Sequence, residues 1–228
     1  MTPDHSFKNL YKNISQYLEA DWLALYKDFY TEEHFSKFNL NLKNRMNEAE
    51  GFDSDALPFY QEEIKVDILE TICNFKKIFS TQGETFEKKY ARQLMAEPFE
   101  NLLIILGQRI TAASVRDQNA IPPKKETLIN SCMEPYNAEM SIARRAREKH
   151  VGRGHTDFWG NINGNNARKE QHVLELIQYV IEHATWWNVF YHYKHELVYE
   201  IRIANGNGIR WNKEGTKLIG FLEPFLTS

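Results

Sequence analysis

Two histidines, His150 and His155, flank Val151, Gly152, Arg153 and Gly154 inside the most cationic stretch of the chain. Imidazole titrates near neutral pH, so a pair of them suits the acid and base roles of metal-free phosphodiester cleavage, with an arginine or lysine stabilising the charge that develops. This chemistry fits a ribonuclease. Between Ile142 and Lys169 the cations are Arg144, Arg145, Arg147, Lys149, Arg153, Arg168 and Lys169. Against them stand Glu148 and Asp157, so seven minus two gives +5 in a chain of net charge −3, and the remainder carries −8. Clustered guanidinium groups hold phosphates bidentately, and Phe158 and Trp159 add rings for stacking on bases. The plain alternative is a solvated basic face paired with acids elsewhere, such as Glu97, Glu100 or the Glu62 and Glu63 pair.

A second set of polar groups lies near the C-terminus. Alternation along a strand puts Glu200 and Arg202 on one side, with Leu197, Tyr199, Ile201 and Ile203 on the other. If Asn205, Gly206, Asn207 and Gly208 form a tight hairpin, Arg210 joins Glu200 and Arg202 while Trp211 turns to the opposite side. Arg202 and Arg210 then hold a phosphate or carboxylate, with Glu200 orienting them or acting as a base. The candidate catalytic groups are therefore His150, His155 and Glu200. The candidate ligand contacts are Arg145, Lys149, Arg153, Trp159, Lys169, Arg202, Arg210 and Trp211. His192 and His195, with His183 upstream, lack the cysteine or carboxylate that completes a zinc site. Gly152, Gly154 and Gly160 follow a helix rather than a strand, so they make no dinucleotide fingerprint. The expectation is no metal and no cofactor.

Several elements must position these groups. Phe7, Leu10, Tyr11, Ile14, Leu18, Trp22, Leu25, Tyr26 and Phe29 have helical spacing, as do Ile64 to Phe79 and Phe99 to Ala113. Thr31 before Glu32 and Glu33 reads as a helix cap. Pro122 and Pro123 interrupt the helical pattern, which divides the chain into a helical region, residues 1–120, and an α+β domain, residues 121–228. The second part should hold a helix through Met133, Tyr136, Met140 and Ala143, then a glycine- and asparagine-rich loop from Val151 to Asn166. Asn166 caps a further helix with Val173, Ile177 and Val180 on its inner face. Strands at Thr185–Tyr193, Glu196–Ala204, Ile209–Asn212 and Lys217–Glu223 complete a four-stranded antiparallel meander packed on a helix. The fold class is α+β.

Composition narrows the setting. With 42% hydrophobic and 13% aromatic residues the chain is expected to bury a core. Its start shows no charged-then-apolar leader, and no run reaches the roughly 20 apolar residues of a membrane span, which points to the cytoplasm and away from membranes. Cys73 and Cys132 sit in helical patterns and read as free, packed thiols. The words Arg145-Ala146, Lys149-His150, Glu200-Ile201-Arg202, Gly206 to Trp211 and Gly220-Phe221-Leu222-Glu223-Pro224 together resemble a domain family of uncharacterised function across Ser141 to Pro224. The resemblance implies that these words meet in one site. The leading reading is a module that binds RNA, another nucleic acid or another phosphate-bearing ligand. The alternatives are a metal-independent, ribonuclease-like enzyme and a scaffold whose aromatic helical half binds a protein partner.

Overall fold

The structure is a computed structural model and describes residues 10–47, 62–80, 85–151, 157–160 and 163–224. Helices come first: α1 (residues 10–15), α2 (Ala20–Leu25), α3 (Glu32–Asn47), α4 (Leu69–Phe79), α5 (Thr85–Ala96) and α6 (Phe99–Leu106). Short strands β1 (Glu63–Ile64) and β2 (Ile110–Thr111) fall between them and after them. The later helices are α7 (Lys125–Met133), α8 (Ile142–Val151) and α9 (Asn166–Glu182). The strands β3 (Ala184–His192), β4 (His195–Ile203), β5 (Gly208–Asn212) and β6 (Leu218–Leu222) close the chain in an antiparallel sheet of order β3-β4-β5-β6. The fold is α+β, as the spacing predicts.

The chain divides into two compact units. The first comprises residues 1–53, 64–108 and 116–121, and the second residues 54–63, 109–115 and 122–228. The second therefore recruits a segment that precedes the prolines. The reason is hydrogen bonding along the free edge of β3, where Arg109 N–H donates to Trp187 O, Val115 N–H to Val189 O, and Tyr191 N–H to Ala113 O. An exposed sheet edge is thereby satisfied.

Aromatic rings fill the core of the first unit. Phe29, Phe35, Phe38 and Phe75 are fully buried, and Phe38 meets Phe29 and Phe75 edge-on at 5.8 and 6.0 Å. The buried Tyr90 and Asn39 are paired there: Tyr90 Oη donates to Asn39 Oδ1 at 2.6 Å, and Asn39 Nδ2 donates to the Phe35 carbonyl at 2.7 Å. Thr31 caps α3 through its hydroxyl, which accepts from His34 N–H at 3.2 Å.

Local interruptions depart from the simple spacing. The stripe from Phe7 to Phe29 is not one helix, because a turn separates α1 from α2. The run from Ile64 begins as strand, and α4 starts only at Leu69, which leaves Ile64 exposed. Gly107, at φ 120°, ends α6 and its N–H donates to the carbonyls of Leu103 and Ile104, so Ile110 lies in β2 rather than in the helix. Pro135 lies in a turn that separates α7 from α8, where a continuous helix through Tyr136 is expected. Asn165, not Asn166, caps α9, accepting from Arg168 N–H at 3.0 Å.

Candidate active site

The hairpin register fixes the geometry of the second unit. Asn188, Glu200, Arg210 and Gly220 stand in one row across the four strands, and Trp186, Arg202, Gly208 and Leu222 in the next. Alternation places Trp187, Ile201, Ile209 and Phe221 on the opposite face together with Val189, Tyr199 and Trp211. Helices α7 and α8 cover this second, apolar face. Trp211 is fully buried beside Cys132 of α7, and Phe221 meets Trp159 at 4.8 Å and His150 of α8 at 6.4 Å. Burial pushes the Cys132 thiol up to about 12, an effect that Trp211 and Ser131 partly offset. Cys73, by contrast, is exposed and is not a packing residue.

The polar face carries a buried charge triad. Glu200 is 1% exposed at its side chain, and its Oε1 accepts from Arg202 Nε at 2.6 Å. Its Oε2 accepts from Arg210 Nε at 2.7 Å and Nη2 at 2.5 Å. Arg202 Nη1 also donates to the carbonyls of Gly206 at 2.5 Å and Glu223 at 2.8 Å. Glu200 thus pairs with two arginines, and Arg202 is bound to protein carbonyls. Arg210 is more open, at 16% side-chain exposure, and its Nη1 donates to His192 Nε2 at 2.8 Å.

His150 stands on the other face. Its Nε2 lies 2.7 Å from Glu223 Oε1, with the two side chains 20% and 26% exposed. Trp159 stands edge-on to the imidazole at 5.6 Å. A histidine oriented by a carboxylate and open to solvent on one side has the make-up of a general base. Glu223 contributes to both faces, since its side chain meets His150 and its carbonyl accepts from Arg202. Among the described residues no cluster of three histidines, cysteines or acids has the arrangement of a metal site.

The words expected to meet in one site are divided between the two faces of the sheet. α8 packs on the apolar face, so His150 and the Glu200 triad do not share one concave surface. The cations themselves divide. Arg144 is buried and tied to Glu148 Oε1 at 3.0 Å, Glu170 Oε1 at 3.5 Å, Asn166 Oδ1 at 3.0 Å and the Glu139 carbonyl at 3.1 Å. Arg147 is fully buried, and Nε and Nη2 both donate to the Trp159 carbonyl. Arg145 lies over the Tyr136 ring at 4.0 Å, Lys169 is half-buried, and Lys149 is exposed. The acids proposed as partners are engaged elsewhere: Glu63 with Arg109, Glu100 with Arg116, and Glu97 with Thr71.

Two further expectations change. Trp159 is 1% exposed and Trp211 0%, so both are core rings and neither presents a face to a base. Their position on the apolar face is the cause. Arg153 and His155 lie outside the described residues. Glu223 and His192 are the partners to which residue spacing alone gives no role in the site: His192 figures there only as a candidate zinc ligand, and Glu223 only in the Leu222-Glu223-Pro224 word. Glu223 shares the parity of Phe221, which places it on the helix side, and His192 shares that of Phe190 and Asn188, on the side of Arg210.

The second unit is thus an α+β domain with a carboxylate-held histidine at one end of a four-stranded antiparallel sheet and an Arg–Glu–Arg triad on its other face. Residues 129–223 match the family of the CdiA C-terminal tRNase toxin domain. The match begins inside α7, ends one residue past β6 and covers less than half of the chain. It includes almost all of the stretch from Ser141 to Pro224. No curated protein and no solved structure matches the chain.

Proposed function

We propose that the second unit cleaves RNA, with tRNA as the substrate class, and that His150 is its general base, held in place by Glu223. The observation that carries this reading is the likeness of residues 129–223 to a tRNase toxin domain, a span that contains both residues. It favours the ribonuclease alternative over a module that only binds. In the proposed step the 2′-oxygen attacks the adjacent phosphorus while the bond from phosphorus to the 5′-oxygen breaks. The 2′-hydroxyl proton passes to Nδ1 of His150, and water protonates the departing 5′-oxygen. Glu223 holds Nε2–H, which fixes the tautomer and stabilises the imidazolium that forms. Exposed Lys149, next in sequence, supplies positive charge for the phosphate backbone.

The test is cleavage of mixed tRNA by the full chain, followed on denaturing gels with and without a chelator. The reading expects cleavage in both conditions, a loss of about a hundredfold or more in His150→Ala, and a smaller loss in Glu223→Gln, which keeps a hydrogen-bond acceptor. Undiminished cleavage by a folded His150→Ala variant would remove the assignment. No cleavage of any RNA would remove the ribonuclease reading itself.

A further inference from the structure

The tip of the β3–β4 hairpin carries an unusual run of side chains on the face away from His150. Arg210 Cζ lies 5.7 Å from the centroid of the Phe190 ring, and Arg210 Nη1 donates to His192 at 2.8 Å. The His192 ring lies 4.7 Å from the ring of Tyr193, and Lys194 Nζ lies 5.2 Å from that ring. Tyr193 is 85% exposed, more than any other large apolar or aromatic side chain among the described residues. A guanidinium, an imidazole, a phenol ring and an ammonium therefore follow one another in contact. The row that holds Arg210 ends at Gly220, where an added Cβ would meet nothing within 4 Å. Gly220 therefore leaves open space on that side of Arg210, while the guanidinium itself reaches the other way, over β4 and β3 to Glu200, His192 and Phe190.

Arg210 has N–H groups to spare. A guanidinium offers five donors. The described partners, Glu200 and His192, take one each from Nε, Nη2 and Nη1, which leaves two among the described residues. Glu200 and His192 fix the plane of the group, so its remaining donors face a ligand already oriented. Bidentate donors suit a phosphate, and an exposed ring one residue from the histidine suits an unstacked base.

We infer that this hairpin tip is a binding platform for a single-stranded segment of the RNA substrate, with Arg210 taking a backbone phosphate beside His192 and Tyr193 stacking on a base. Lys194 adds a second phosphate contact. The platform rests on the ribonuclease reading for its ligand, but it is separate from the His150–Glu223 pair and lies on the opposite face of the sheet. It holds substrate and takes no part in the chemical step.

Two substitutions probe it without touching the buried triad. Tyr193→Ala removes a solvent-exposed ring, and Lys194→Ala removes the ammonium that lies over it. The probe is a fluorescein-labelled single-stranded RNA dodecamer, measured by anisotropy against a His150→Ala background of the full chain over a series of salt concentrations. Base stacking is worth about 1–3 kcal/mol, so Tyr193→Ala should weaken binding about fivefold to a hundredfold, and Tyr193→Phe should restore it. Lys194→Ala should weaken binding about fivefold at about 0.1 M salt and flatten the salt dependence by about one phosphate contact. In the cleavage assay Tyr193→Ala should raise KM more than it lowers kcat. Binding unchanged within twofold in both variants overturns the platform, whatever His150→Ala does to cleavage. Weakened binding together with full cleavage by His150→Ala supports the platform and removes the general-base assignment, so the two proposals fail separately.

Discussion

Replacing Glu200 with glutamine isolates what the buried triad contributes. Glu200 and Arg202 are 1% and 3% exposed at their side chains, and hydrogen bonds of 2.6, 2.7 and 2.5 Å converge on one carboxylate. Glutamine preserves the shape and one acceptor, but it turns an N–H toward a guanidinium and leaves two cations facing each other, one of them out of water. Breaking a buried pair from one side costs about 3–5 kcal/mol, because the remaining charge is stranded. The control is Glu100→Gln, whose partner Arg116 lies 3.9 Å away with both side chains at least 40% exposed. There water already solvates both ions, and the expected cost is about 0–1 kcal/mol.

Urea unfolding followed by far-ultraviolet circular dichroism distinguishes the two, because it reads the helices of the first unit, which holds Glu100 and Arg116, as well as the second unit, which holds Glu200. With a slope of about 2 kcal/mol per molar urea, the Glu200→Gln midpoint should fall by about 1.5–2.5 M and that of Glu100→Gln by less than about 0.5 M. Equal shifts in the two variants, at unchanged slope, would refute the argument that burial rather than pairing sets the cost.

Three further outcomes follow from single contacts. Arg147→Lys loses the two-pronged hold on the Trp159 carbonyl, because an ammonium lacks the guanidinium fork; a stability loss of about 1–3 kcal/mol in the same urea assay is expected, and none would show the fork to be idle. Gly208→Ala should cost about 1–3 kcal/mol, since its Cβ would stand 2.2 Å from the Ile201 carbonyl oxygen and 2.7 Å from Arg202 Cγ, whereas Gly220→Ala, with open space around it, should cost under about 0.5 kcal/mol; a neutral Gly208→Ala contradicts the register. The Cys132 thiol, raised by burial to about 12, is ionised to about one part in ten thousand at pH 8, so a chromogenic disulfide reagent should titrate Cys73 alone in the folded chain and both thiols in denaturant. Because its pKa is raised, its labelling rate should climb about tenfold per pH unit above 8 for as long as the fold holds, and fast labelling of two thiols at pH 8 would contradict its burial.

The sheet was the most legible part of the sequence. Alternation between Leu197 and Ala204 and the Asn-Gly-Asn-Gly turn place Glu200 opposite Arg210 and turn Trp211 away, and the register bears this out. The same alternation does not say which face the helices cover. Both faces of β4 are buried, with Arg202 at 2% and Ile201 at 2%, so polarity does not mark the open side. Charge counting failed for a related reason. Arg144 and Arg147 add to the cationic sum, yet they satisfy Glu139 and Trp159 carbonyls that come near only in the folded chain. A sum over a segment carries no information about which side of a helix each charge occupies. The break between α1 and α2 and the late start of α4 were likewise hidden, because three- and four-residue spacing continues through a turn as readily as through a helix.

The position of Glu223 explains how two polar groups on opposite faces become one structural problem. At the end of a strand a residue offers its side chain to one face and its carbonyl along the sheet edge. Here the side chain meets His150, and the carbonyl accepts from Arg202. Arg202 is in turn held by Glu200, which also fixes Arg210 beside His192. A buried triad is weak evidence of stability, because desolvating three ions offsets most of their attraction. Its value here is positional. It sets the backbone that aims Glu223 at His150 on one face, and on the other it orients a guanidinium with donors left over. One set of ion pairs thus positions both the proposed general base and the proposed RNA platform, and neither group need touch the other.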